Sequence, residues 1–205
     1  MNDLANLAHE QGDYALARSL YEEALAMVRQ HDDTLGVVTV LNNLAVVARD
    51  QGDMVTARTL LEESLAVRKE IGDRRGVALT LANLADVASQ QGDYDRAHAF
   101  LTEDVDVQQE LGAAPGIAFV LERFAGLAAA QAQAARALRL AGAAAALRVA
   151  VGAVAPPAAQ ALLEQRLSSA RQALSPEAAA LAWSEGQALS LDEAVAYALA
   201  ASGDP

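Results

Sequence analysis

Three histidines, 27 acidic side chains and a few serines are the groups in this 205-residue sequence that could do acid–base, nucleophilic or metal chemistry. A helical zinc site places two histidines four residues apart beside an acid, and His9, His31 and His98 show no such pairing. Glu22-Glu23, Glu62-Glu63 and Asp104 with Asp106 are close-set carboxylates, but general acid–base work needs two of them to face one substrate. Residues one or two apart on a helix point in different directions, so these pairs read as a solvated acidic face. Ser168-Ser169 and Ser184 have no histidine near in sequence to activate them. There is no glycine-rich phosphate loop of either the Walker or the Gly-x-Gly-x-x-Gly type. Cysteine is absent, which removes disulfides and thiolate metal sites. The expectation is a protein that is not an enzyme and needs no cofactor or metal.

Charge and composition narrow the partners. With 15 basic against 27 acidic side chains, a net charge of -12, the surface repels phosphate, so neither nucleic acid nor an anionic membrane is an expected partner. The amino terminus lacks a basic start and an apolar core of signal-peptide type. The longest apolar stretch, residues 141–159, is broken by Arg148, Pro156 and Pro157, which is too short and interrupted to span a bilayer. A cytoplasmic location is expected. Alanine supplies 50 residues, and its helix propensity makes helices the default element.

Those helices are organised by a repeat. Gln11-Gly12-Asp13-Tyr14 recurs as Gln51-Gly52-Asp53-Met54 and as Gln91-Gly92-Asp93-Tyr94, 40 residues apart each time. Gly36, Gly76 and Gly116, each followed by Val or Ile, keep the same period. Before each Gly-Asp turn the apolar residues fall at helical spacing, as in Leu41, Leu44, Ala45 and Ala48; after it they do so again, as in Ala57, Leu60, Leu61 and Leu65. Each unit is therefore a helical hairpin whose glycine takes positive φ after the first helix and whose aspartate caps the second. Asp73 is placed to cap the next helix in the same way. Hairpins of this kind bury their apolar faces only by stacking on their neighbours.

The expected units are residues 1–32, 33–72, 73–112 and 113–150, followed by a helical cap over 151–205. In the fourth unit the turn has become Gln131-Ala132-Gln133, and loss of its glycine suggests a tighter or altered hairpin. Pro156-Pro157, Ser175-Pro176-Glu177 and Ser190 with Glu193 mark three helix starts in the cap. Ala161, Leu162, Leu167 and Leu174 are the expected apolar positions of its first helix, with Trp183 and Tyr197 as the large pieces of its core. At the other end, the first helix of unit one is short by about two turns. The apolar edge this leaves implies either a longer array or a covering molecule, including a second copy of the chain.

The hairpins resemble the tetratricopeptide repeat. The small residues of the first helix are Ala45, Ala85 and Ala125, those of the second Ala57, Ala97 and Ala137, and unit one matches with Ala5, Tyr14, Ala17, Tyr21 and Ala24. The unit is longer than the family's usual 34 residues. Leu41-Asn42-Asn43-Leu44-Ala45 followed by Asp50-Gln51-Gly52-Asp53 is similar to the longer repeats of kinesin light chains and bacterial signalling proteins. The tail, from Ala182-Trp183-Ser184-Glu185 to Ala198-Leu199, resembles the carboxyl-terminal end of bacterial signal-transduction ATPases. The resemblance implies an all-α fold, a right-handed α-solenoid of antiparallel helix hairpins closed by carboxyl-terminal capping helices.

It also implies where a partner would bind. In this family the first helices line a concave groove, and the residue before the first-helix leucine points into it: Asn43, Asn83 and Arg123 here. One turn along come Asn6, Val46 and Asp86, then His9, Arg49 and Ser89. An asparagine amide both donates and accepts, which suits the backbone of an extended peptide, and arginine can clamp a carboxylate. Asn43 and Asn83 can equally bond to neighbouring helix ends as part of the packing. The leading reading is a scaffold whose groove, with Asn6, Asn43, Arg49, Asn83, Asp86 and Arg123, binds a peptide or protein segment. The alternative is a regulatory fragment of a signalling ATPase or transcription regulator, whose partners would be domains of the same larger protein.

Overall fold

The chain is described here by a computed structural model covering residues 2–200. Among these residues eleven helices follow one another: α1 (Asn2–Glu10), α2 (Tyr14–Gln30), α3 (Thr34–Asp50), α4 (Met54–Glu70), α5 (Arg74–Gln90), α6 (Tyr94–Glu110), α7 (Ala114–Ala130), α8 (Ala134–Ala150), α9 (Pro157–Ala173), α10 (Pro176–Gln187) and α11 (Leu191–Leu199). The architecture is an all-α repeat of helix hairpins with carboxyl-terminal capping helices.

The regularity is finer than the 40-residue sequence period. Helices α2 to α8 each have 17 residues and are joined by three-residue turns whose middle residue takes positive φ. In the turn after α3, Gly52 (φ 84°) donates to the Arg49 carbonyl and Asp53 to the Ala48 carbonyl, both at 2.9 Å. This is the Schellman closure of a helix end. Asp53 then accepts from the Thr56 amide at 3.0 Å, so one residue ends a helix and caps the next. Bonds from the Thr56 side chain and amide hold the Asp53 carboxyl below its ordinary value.

The turn without glycine keeps this geometry instead of tightening. Ala132 sits at φ 58°, and Gln133 still donates to the Ala128 carbonyl at 2.9 Å. The two closing bonds and the packing of the helices impose the left-handed conformation on an alanine that disfavours it. What is lost is the cap: Ala113 and Gln133 make no side-chain bond to the helices they precede.

By packing, the chain falls into two compact units, Met1–Gln91 and Gly92–Pro205. In the first, Ala5, Ala8, Ala17, Tyr21, Val40, Leu44 and Val47 form a shared core of α1, α2 and α3. A buried polar chain ties α3, α4 and α5 together. Ser64 donates to the Val38 carbonyl at 3.0 Å, Arg68 Nε donates to Ser64 at 3.2 Å, and the Arg68 guanidinium pairs with Asp73. The Arg68 guanidinium and the Asp73 carboxylate fill the space that a side chain at Gly76 would take.

In the second unit, α10 packs on α8 where Gly142 and Gly186 let the two backbones meet; a Cβ on either would collide with a carbonyl of the other helix. Leu167 and Ala170 are the buried side chains of α9, while Ala161 and Leu162 face solvent. The inward face is thus Leu163, Leu167 and Ala170, spaced i, i+4, i+7. Trp183 and Tyr197 are only half-buried, and the cap core consists of Leu167, Ala170, Ala182, Ala194, Val195 and Ala198. The guanidinium groups of Arg136 and Arg139 lie 4.9 and 5.4 Å from the centre of the Tyr197 ring. Arg136 also donates to the carbonyls of Tyr197, Ala198 and Ala200 at 2.8–3.0 Å, closing the carboxyl end of α11. The Ser190–Glu193 capping box opens the same helix as expected.

Candidate functional site

The first helices of the amino-terminal unit, α1, α3 and α5, are tied side by side by polar side chains. Asn83 Nδ2 donates to Asn42 Oδ1 at 3.1 Å, and Arg49 lies 3.7 Å from the Asp86 carboxylate. Two contacts at matching heights mean that α3 and α5 run in the same direction. His9 Nε2 is 2.8 Å from Asp50 Oδ2, and Arg49 is 2.8 Å from Asp50 Oδ1. The series His9–Asp50–Arg49–Asp86 therefore crosses three helices, with an arginine between two carboxylates.

Burial grades along this series. The Asp86 side chain is 8% exposed and Arg49 18%, whereas Asp50 and His9 are about a quarter exposed. A charge removed from the inner end would leave its partner poorly solvated, while the outer end is exchangeable with solvent or ligand.

The expected site residues are divided by these contacts. Asn83 is buried and bonded to Asn42, so its amide serves the packing of α3 on α5. Asn43 occupies the same place in the preceding repeat but is partly exposed, and among the described residues its amide has no hydrogen-bond partner. The two differ because a first helix meets the next one residue out of register: 42 pairs with 83, and 9 with 50. Asn6 is exposed and accepts from the Tyr21 hydroxyl, whose acidity burial and the nearby Glu10 weaken. Arg49 and Asp86 are brought together. Arg123 belongs to the carboxyl-terminal unit, with its guanidinium 4.6 Å from the centre of the Phe119 ring.

Sequence reasoning missed Asn42, Asp50 and Asp104. Glu22, Glu23, Glu62, Glu63 and Asp106 are exposed as expected, but Asp104 is 1% exposed. It occupies the register of Ser64, a second-helix position that faces inward, and burial pushes its carboxyl up to about 6. The signal available was that 40-residue register rather than the neighbouring acid. No group of three or more histidine, aspartate, glutamate or cysteine side chains among the described residues could hold a metal ion. Nor, among them, is any helix long and apolar enough to cross a membrane.

Stacked hairpins with small residues at each crossing and a polar first-helix face define a helical-repeat protein. Family models of the Tetratricopeptide repeat match residues 36–110 and 1–31, more than half of the chain, and the chain belongs to that family. No curated protein sequence matches it. Among solved structures it is similar to BtubC (BKLC) from P. vanneervenii, at 24% identity and a TM-score of 0.68 over 95% of this chain and 76% of that one. A Podosopora anserina protein described as a kinesin light chain with nearly identical TPR-like repeats aligns at 18% identity and a TM-score of 0.62, over 91% of this chain and 92% of that one. A single-substitution form of that Podosopora anserina protein gives 18% and 0.63, with 91% of each chain covered. At these identities the likeness is one of fold.

Proposed function

We propose that the chain is a non-enzymatic scaffold and that the face of α1, α3 and α5 binds an extended segment of a peptide or protein. The observation that carries this reading is Asn43, whose amide offers a donor and an acceptor without a partner among the described residues, nearly two turns from Arg49 on α3. An extended segment presents both groups once per residue, so one amide can hold its backbone without selecting a side chain. Specificity would come from His9, Asp50, Arg49 and Asp86. The two carboxylates outnumber the one arginine, and residues 1–112 carry 20 acidic against 9 basic side chains, so the favoured segment carries lysine or arginine. A rigid repeat loses little entropy on binding, which lets modest contacts add.

The test uses dodecapeptides selected from a random displayed library on the immobilised chain, with affinity measured by calorimetry. Asn43→Ala and Asp50→Asn should each weaken binding about ten-fold, equivalent to about 1.4 kcal/mol, with helicity unchanged. Equal affinity for all three proteins would refute the reading.

Residues 182–199, similar to the tail of bacterial signal-transduction ATPases, support a narrower version in which the bound segment belongs to the same larger protein. Leu4 and Leu7, both about half exposed on α1, support a further version in which a second copy covers the amino-terminal hairpin. Sedimentation of the chain with and without Leu4→Glu separates that version from a monomeric scaffold.

A further inference from the structure

In the carboxyl-terminal unit a cavity of about 510 Å³ opens between the end of α8, the connection from Gly152 to Ala155, α9 and Trp183. Its volume is in the range of small-molecule sites rather than of packing defects. It exists because α8 turns alanines toward it, Ala141 and Ala145, while Val149, Leu163 and Trp183 stand around them. The walls are held in place. Gly142 on α8 lies against the Trp183 carbonyl, and Arg171 covers the Trp183 ring at 5.3 Å.

The polar groups at the wall decide what could enter. Arg148 holds Glu122 through two parallel bonds, one of them 2.8 Å, with the side chains 15% and 13% exposed. Glu164, more exposed, is paired with Arg171 at 3.2 Å. Gln160 gives its amide hydrogen to the Ala155 carbonyl at 2.9 Å, which leaves its side-chain oxygen as an acceptor. Every charge on the wall is thus already compensated. An anionic ligand drawn to Arg148 would meet the adjoining Glu122 carboxylate, and a cationic one drawn to Glu122 the Arg148 guanidinium, so a net charge gains little at this wall.

We propose that this cavity is a binding site for a neutral, mainly apolar small molecule, about two to three rings in size, with one hydrogen-bond donor for Gln160. It is separate from the first-helix face and independent of the peptide reading.

Two probes with the same rings separate the charge argument from mere greasiness: N-phenyl-1-naphthylamine, which is neutral, and 8-anilino-1-naphthalenesulfonate. The chain has a single tryptophan, so quenching of its emission reports occupancy beside Trp183. The neutral probe should saturate one site, quench Trp183, and bind about ten-fold or more tightly than the sulfonate. Ala145→Phe fills the cavity and should lower its affinity by about ten-fold with the helical circular dichroism retained. Val154→Asp, at a rim position 87% exposed, serves if the first variant does not fold; a charge at the mouth should cost several-fold in affinity. Equal or tighter binding of the sulfonate, or binding that leaves Trp183 emission unchanged, would overturn the proposal. So would affinity for the neutral probe that neither variant alters.

Discussion

Replacing Asp104 by asparagine removes a buried carboxylate without changing its shape. One oxygen accepts from Gln108 Nε2 at 3.1 Å, and the other has no partner among the described residues. Burial outweighs both that bond and the nearby charge of Arg123, so the folded carboxyl titrates at about 6 instead of 3.8. The folded chain consequently binds this proton more tightly than the unfolded chain does. Stability linked to Asp104 is fully present below about pH 4 and is lost as the pH rises through about 6. The difference between the two values corresponds to about 3 kcal/mol at pH 7. Asp104→Asn should therefore be about 2–3 kcal/mol more stable than the parent at pH 7.5 and within about 1 kcal/mol of it at pH 4. Urea unfolding followed by circular dichroism at both pH values measures this. A variant no more stable at pH 7.5, or a gain equal at the two pH values, would refute the reasoning.

The turns and the cap give further expectations, each read in the same unfolding experiment. Ala132→Gly relieves the left-handed strain of the fourth unit's turn and should stabilise it by about 1 kcal/mol. Gln133→Asp restores the missing cap for a comparable gain, and a null result in both would contradict the turn geometry. Gly186→Ala drives a methyl group into the Arg139 carbonyl and should cost about 1–3 kcal/mol; unchanged melting would mean that α8 and α10 do not touch there. Gly52→Val, at φ 84°, should lower stability by more than about 1 kcal/mol, since a β-branched residue is strongly disfavoured in that conformation.

The repeat was legible because turn chemistry is local: glycine suits the left-handed residue of a Schellman closure and aspartate suits the cap that follows, so Gly-Asp recurs from turn to turn. The intervening turns were less visible, since His31-Asp32-Asp33 reaches the same geometry without glycine. The family resemblance, rather than spacing, pointed to the first helices α1, α3 and α5 as the candidate groove face. It could not separate Asn43 from Asn83, because that distinction depends on the one-residue offset between neighbouring helices, which no single helix encodes. Asp104 was misread for a related reason: its adjacent acids suggested an exposed stretch, although its register with Ser64 points inward. In the carboxyl-terminal unit, the many alanines of α8 and α9 weaken the contrast that periodicity needs. Neither the inward face of α9 nor the cavity beside Trp183 could be read from spacing.

The central claim, that the first-helix face is the docking surface, is tested most directly by titrating the isotope-labelled chain with a selected basic dodecapeptide and following amide resonances. The account predicts shifts concentrated at Asn6, His9, Asn43 and Arg49, including the Asn43 side-chain amide, with little change in α9 to α11. Shifts confined to the second helices α2 and α4, or to the cap, would contradict it.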